Sequence, residues 1–362
     1  MDTVFLGFAG LGLALLIHIA FVSITLGTGL AAAWTRWLAY KRGDRELELA
    51  SRRFLKLLLV TELYSGVWGT VITVFLAGFF TPLLTLATNT LFIPLAVAVS
   101  SIMVRIPAIA ASWYTWGRIS PRAHALIMWV MALSGFGIPF GFRAVFAEMH
   151  YPLAIGHYLQ GGGHPGLLAY GNPLFWLLYL HTVAAVISVG GFASAWVAEL
   201  GRDARGLSFA LKLGAYPLFA QLALGPAYWL GLSQYSPLFF EVVTFNPLLA
   251  AKVAAVAALA ALSLRALRRL NRGSAPSVKP LAALAVLTAL AGETLNSGVK
   301  YPNLVYAGYE ALPARAFANL YLEIPVSLVG VILAFLAASM AVFILASYLA
   351  LVKRYVADEP ED

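Results

Sequence analysis

Nine long apolar stretches dominate this chain, and each is long enough to cross a lipid bilayer as a helix. A spanning helix needs about 20 mainly apolar residues, and its backbone polar groups must all be satisfied within the membrane. We therefore predict an all-α, polytopic membrane helix bundle, with one integral membrane domain over 1–354 and a short cytoplasmic tail over 355–362. The predicted spans are approximately 4–36, 54–80, 89–116, 124–147, 173–198, 207–231, 245–264, 280–298 and 317–352.

The composition agrees with a membrane protein and excludes several other classes. Only 11% of the 362 residues are charged and 61% are hydrophobic, whereas soluble domains carry about 25% charged residues. An ordinary soluble enzyme and a disordered chain are therefore excluded. The chain has no cysteine, so disulfides, thiolate metal sites and cysteine nucleophiles are excluded as well.

The basic residues alternate between connections and predict the orientation of the chain. Most of the 24 Lys and Arg residues lie in the connections after spans 1, 3, 5 and 7 and in the tail, whereas the connections after spans 2, 4 and 6 carry none. Lys and Arg concentrate on the cytoplasmic side of membrane proteins. We therefore predict an outside N-terminus, an inside C-terminus, and contact of the basic residues with anionic lipid rather than nucleic acid. The outer connection 148–172 is expected to be a flexible surface loop.

Several ionisable side chains fall inside the predicted spans, where they are costly and mark functional sites by default. Counting along each helix from its cytoplasmic anchors places most of them in the outer half of the membrane, and Glu62 toward the inner side. The outer set comprises His18, His181, Glu293, Arg105, Arg143 and Lys252.

This set of residue types suits haem. Neutral imidazole is a common axial ligand of haem iron, and a carboxylate can also ligate, so His18, His181 and Glu293 are the candidate iron ligands. Buried cations pair with anionic propionates, which suggests that role for Arg105, Arg143 and Lys252. Alternatives stay open at this point. Each histidine could have a purely structural role, in which it hydrogen-bonds a neighbouring helix, and the cations could pair with carboxylates. His124, in a cytoplasmic turn, is expected to be a plain surface residue.

Short motifs in order along the chain resemble subunit I of the cytochrome bd-type oxygen reductases. Residues 17–27 look like the family's helix 1 string Tyr-His-Phe-Leu-Phe-Val-Pro-Leu-Thr-Ile-Gly, which carries an active-site haem ligand at the position of His18. Asn172-Pro173 and the later His181-Thr182-Val183-Ala184 resemble the family's Asn-Pro and His-Thr-Val-Ala, where the histidine binds the low-spin haem. Glu293 falls where the family has a glutamate ligand to a high-spin haem.

The chain also departs from the family's pattern at several functional positions. Pro94-Leu95-Ala96-Val97 resembles the family's Pro-Leu-Ala-Ile, but Ala98 and Ile106 stand where the family has two carboxylates. Ala254 falls near the family's methionine ligand to the low-spin haem, and the quinol-binding loop is reduced to about 232–245. The resemblance therefore implies a short, divergent member, or a paralogue of the archaeal type.

The resemblance implies a haem-binding subunit of a cytochrome bd-like terminal oxidase, which carries electrons to oxygen in respiration as part of an oxidoreductase complex in the cell membrane. One to three haems are expected, of b type or including haem d. The implied partner is a homologous subunit I or a subunit II-like membrane protein, through which quinol would deliver electrons.

The alternative function is that of a structural, partly degenerate paralogue that packs against a catalytic subunit I and binds fewer haems or none. A proton-coupled transporter would predict inverted repeats and broken helices, and the sequence has neither pattern.

Overall fold

The computed structural model describes residues 3–300 and 326–349, and all regular structure in these ranges is helical. Long helices run along the bundle and short helices fill the connections between them. The α-helices are α1 Thr3–Arg42, α2 Arg45–Phe79, α3 Thr81–Thr90, α4 Phe92–Tyr114, α5 Pro121–His150, α6 Leu153–Leu159, α7 Phe175–Leu200, α8 Ala204–Tyr235, α9 Pro237–Thr244, α10 Pro247–Asn271, α11 Lys279–Lys300 and α12 Val326–Ser347.

Seven of the described helices are long and apolar enough to cross a membrane. They are α1, α2, α4, α5, α7, α8 and α10, and they coincide with the first seven predicted spans. The eighth predicted span, 280–298, falls on α11. The ninth, 317–352, contains α12 and otherwise lies outside the described residues. The count of nine spans, the orientation of the termini and the bounds of the tail stay predictions.

Glycines let the central helices approach closely. A Cβ at Gly190 in α7 would collide with the backbone of α1 at Gly27, and a Cβ at Gly191 would collide with the backbone of α8 at Gly214. Without a hydrophobic driving force between helices in lipid, such small-residue contacts allow the van der Waals packing that holds a bundle together. The centre of the fold is therefore α7 packed directly against α1 and α8.

Ion pairs and caps join the basic connections at one end of the bundle. Arg53 in α2 donates to Asp203, which precedes α8, at 3.1 Å. Arg205 binds Asp44, in the turn between α1 and α2. The Glu199 carboxylate accepts from the Val278 backbone N–H, just before α11, at 2.9 Å. Three of the lysine- and arginine-rich connections therefore lie together, as the alternating charge pattern requires.

The connection 148–172 is ordered by one buried carboxylate, so the expectation of a flexible loop was wrong for much of it. Glu148 accepts from the backbone N–H groups of Ala154 and Ile155, at the start of α6, and from the side-chain amide of Asn172 at 2.9 Å. Asn172 also donates to the Tyr151 carbonyl at 2.6 Å. A short helix whose first N–H groups meet a carboxylate is held in place at its N-terminus.

His124 is fully buried, contrary to the expected surface position. Its Nδ1 accepts from Arg36 Nε at 3.0 Å, and its Nε2 donates to the Ser112 carbonyl at 2.8 Å. Both ring nitrogens therefore serve helix packing among α1, α4 and α5. Trp116 covers the pair, with the Arg36 guanidinium 5.0 Å from the ring centroid.

Candidate cofactor site

His18 lies in α1 with one ring nitrogen already fixed by the protein. Its Nδ1 lies 2.9 Å from the backbone carbonyl oxygen of Ser65 in α2. Because a carbonyl can only accept, Nδ1 carries the hydrogen, and in the neutral ring the lone pair is on Nε2. Metal-ligating histidines are typically oriented in this way by a carbonyl behind them. Gly69 gives the ring room, because a Cβ there would lie 3.2 Å from His18 Cε1.

Arg105 forms a two-point salt bridge with Glu62. Nε donates to Oε1 at 3.0 Å and Nη2 donates to Oε2 at 2.9 Å. The Thr25 hydroxyl also donates to Glu62, at 2.8 Å. Nη1 of Arg105 donates to the Met131 carbonyl at 2.9 Å. Each nitrogen of this fully buried guanidinium therefore has a protein acceptor.

Glu62 therefore lies at the level of Arg105. The expectation that Glu62 lies apart from Arg105, toward the inner side, was wrong. In the structure α2 begins at Arg45, which puts Glu62 about 26 Å along the helix at about 1.5 Å per residue.

A second group of polar side chains gathers where α5, α7, α8, α10 and α11 meet. We call it the outer polar cluster, and it comprises Arg143, His181, Tyr228, Lys252 and Glu293. Glu293 attracts both Arg143 and Lys252, and the two cations repel a charge on His181. The Lys252 ammonium lies against the α11 backbone, since a Cβ at Gly292 would be 2.9 Å from Nζ. Two cations therefore share one carboxylate within the cluster.

The outer polar cluster holds buried polar atoms without a protein hydrogen-bond partner. Among the described residues, His181 Nδ1 and the Tyr228 hydroxyl have none, and neither has Oε1 of Gln221, which lies beside the cluster. The rings of His181 and Tyr228 stack at 6.2 Å, and the Gln221 amide donates to the His181 carbonyl. Buried polar groups are nearly always hydrogen-bonded. The cluster is therefore chemically suited to a polar ligand.

Glu293 connects the two groups, because it also interacts electrostatically with His18. The structure thus brings together five of the six candidate residues. The sixth, Arg105, is connected to them through its partner Glu62, which also interacts with His18. Sequence reasoning missed Tyr228 and Gln221. An amide within an apolar span was a signal for Gln221, whereas tyrosine is too common in membrane proteins to single out Tyr228.

The donor set fits a haem better than a bare metal ion. In residues 3–300 and 326–349, no three His, Asp or Glu side chains lie close enough to hold a metal ion. A structural zinc needs four ligands, and a catalytic zinc needs three. A haem brings its own four nitrogen ligands and takes one or two more from the protein. Single ligands such as His18 and His181 suit that need, and Arg143 and Lys252 near His181 suit the propionates.

The departures from the expected pattern have structural reasons. Ala98 is fully buried, and a Cβ at Gly141 of α5 would collide with it, so a glutamate at position 98 would not fit this packing. Ile106 is 56% exposed and faces away from the bundle. Ala254 lies on the exposed side of α10, whereas Lys252 faces the cluster.

Comparison with known proteins agrees with this architecture. Residues 9–225 match the family described as cytochrome bd terminal oxidase subunit I. The bd oxidase structure from Geobacillus thermodenitrificans superimposes with a TM-score of 0.75 at 16% identity, over 95% of this chain and 98% of that chain. No curated protein matches the sequence significantly. Because the match spans more than half of a multi-pass membrane chain, the protein belongs to the cytochrome bd terminal oxidase subunit I family.

Proposed function

We propose that this chain is a haem-binding subunit of a cytochrome bd-like terminal oxidase and carries electrons toward oxygen. The observation that carries the proposal is His18, whose Nδ1 is held by the Ser65 carbonyl. Nε2 forms no hydrogen bond with the described residues, so it is available as a ligand. A histidine needed only for packing would gain from using both nitrogens, as His124 does. When bound, haem iron would supply the one-electron chemistry that oxygen reduction needs.

The outer polar cluster supplies the remaining contacts in this proposal. His181 and Glu293 are the further candidate iron ligands, and Arg143 and Lys252 neutralise propionates. The charge balance supports this role, since the two cations share one carboxylate among the residues that the structure describes. Arg105 takes no part here because Glu62 already neutralises it. One to three haems, of b type or including haem d, remain our expectation.

The structural alternative, a degenerate paralogue with fewer haems or none, is less well supported. The argument for it is that Ala98 and Ile106 replace two carboxylates of the family's pattern. A chain that no longer bound haem would gain nothing from two buried cations that share one carboxylate among the described residues, or from buried polar atoms without partners there, since both are costly in lipid. Such a chain would be expected to lose these residues.

The chain is proposed to work with a homologous subunit I or a subunit II-like membrane protein, which would bring in quinol. The exposed apolar residues Leu126, Val130 and Leu133 form one stripe on α5 and suit a helix of that partner. Ala111 of α4 is half-buried and remains available for close approach of that partner, whereas Ser112 is buried inside this chain. Size-exclusion chromatography of the chain co-expressed with its genomic neighbour tests the complex, and two separate peaks would contradict it.

Haem content tests the proposal directly. The purified wild-type protein should show a visible haem spectrum and a positive pyridine haemochrome assay. His18→Ala, His181→Ala and Glu293→Ala should each lose part of that absorbance. His157→Ala is the matched control, because His157 is exposed on α6. A wild-type protein without haem, or three unchanged spectra, would refute the proposal.

A further inference from the structure

A cavity of about 320 Å³ lies between the start of α2 and the connection from α4 to α5, at the basic end of the bundle. Its lining consists only of basic and aromatic residues, namely Arg52, Trp113, Tyr114, Trp116 and Arg118. This cavity, which we call the Arg–Trp cavity, is separate from the outer polar cluster, and neither ligand nor role follows from the family for it. Its volume is within the range of small-molecule sites.

No carboxylate among the described residues pairs with the two arginines of the Arg–Trp cavity. Neighbouring arginines have carboxylate partners: Arg36 and Arg45 bind Glu48, and Arg53 binds Asp203. Arg52 and Arg118 form no ion pair within the part of the chain that the structure describes. The Arg52 guanidinium instead lies 5.8 Å from the centroid of the Trp116 ring. Two positive charges beside aromatic faces form a site for an anion with planar or tetrahedral oxygens.

An apolar stripe leads from the cavity along the outside of α4. Met103, Ile106, Ala110 and Tyr114 are exposed and recur at helical spacing, and Met103 and Tyr114 are 70% and 68% exposed. Because α4 is long and apolar enough to cross a membrane, this exposed stripe is suited to contact with acyl chains rather than water. Tryptophan and tyrosine prefer the headgroup level of a bilayer. A ligand here therefore has an anionic head in the cavity and an apolar tail along α4.

We propose that the Arg–Trp cavity binds the phosphodiester headgroup of one anionic phospholipid, whose acyl chain lies on the stripe Met103–Tyr114. Arg52 and Arg118 bind the phosphate oxygens, and Trp113 and Trp116 contact the glycerol region. The apolar stripe favours a lipid over free phosphate, which would gain nothing from it. This inference is independent of haem binding.

Native mass spectrometry of the full, delipidated chain in detergent tests the proposal, with phosphatidylglycerol, phosphatidylcholine and inorganic phosphate as probes. The wild type should retain one phosphatidylglycerol that R52Q/R118Q loses, with at least about a tenfold weaker apparent Kd, equivalent to about 1.4 kcal/mol. Arg122→Gln is the matched control: Arg122 is exposed in the first turn of α5, directly after that connection, and does not line the cavity. R52K/R118K keeps the charges and should retain part of the binding.

Three outcomes would overturn the proposal. R52Q/R118Q and Arg122→Gln could retain the lipid equally, inorganic phosphate could displace it at equal concentration, or the co-expressed partner could displace it from the wild type. The second outcome would indicate a free-anion site, and the third an interface between subunits. If R52Q/R118Q does not fold, as judged by elution volume and helical circular dichroism, the exposed Arg118→Gln variant replaces it and must weaken phosphatidylglycerol binding.

Discussion

The side chain of Arg105 illustrates how one neighbour decides the role of a buried charge. Alone in an apolar span, an arginine is equally suited to a propionate or to a carboxylate of the protein. The chain supplies Glu62 from α2, and the two form two charge-assisted hydrogen bonds. Gly135 permits this arrangement, because a Cβ there would collide with the Arg105 guanidinium.

Removing Glu62 alone should therefore destabilise the protein strongly. Glu62→Leu leaves the Arg105 charge buried without its partner, which costs about 3–5 kcal/mol. We expect a clear drop in the apparent Tm of the detergent-solubilised protein. The double variant E62L/R105M removes both charges and should recover much of the loss. An unchanged Tm in Glu62→Leu, or no recovery in the double variant, would contradict the assignment of a structural salt bridge.

Among the helices, the contact between α1 and α7 depends on the absence of two side chains. Gly27 and Gly190 face each other, and the hydroxyl of Ser194 lies one turn further along, 3.4 Å from the Thr28 hydroxyl. Any Cβ at position 190 forces these backbones apart. The contact is central, because α7 also carries His181 and α1 carries His18.

Gly190→Ala should lower stability by about 1–3 kcal/mol, the usual cost of overpacking a well-packed core. Gly66→Ala is the matched control, because a Cβ at Gly66 in α2 meets no atom within 4 Å. Alanine is the better helix former, so that variant should be neutral or slightly stabilised. Thermal unfolding followed by circular dichroism compares them. Equal Tm values for the two variants would show that α1 and α7 do not depend on this close contact.

For the whole molecule, the charge pattern predicts which end of the bundle faces the cytoplasm. The chain contains no cysteine, so single cysteines can be introduced without removing any. Gln160 and Ser274 are exposed in connections at opposite ends of the predicted topology. In intact cells, an impermeant maleimide should label Gln160→Cys, and it should label Ser274→Cys only after permeabilisation. The reverse pattern would invert the predicted orientation.

Several features followed from the sequence because they depend on local chemistry. Apolar length predicted the first seven spans, since lipid leaves few alternatives to a helix. The alternation of Lys and Arg predicted that basic connections such as those containing Asp44 and Asp203 lie at one end. The ionisable residues of the spans stood out singly, because each is costly in hydrocarbon.

Tertiary structure alone decided how those residues combine. The sequence contains Glu62 and Arg105 forty-three positions apart, and nothing local indicates that α2 and α4 bring them into contact. Three further features likewise depend on which helices are neighbours and how each is rotated. They are the burial of His124, the orientation of the His18 ring and the stacking of Tyr228 on His181. Pairing of side chains across helices depends on helix rotation and on contacts such as Gly27 with Gly190. Those are set by packing of the whole bundle, and the apolar pattern of a single span leaves them undetermined.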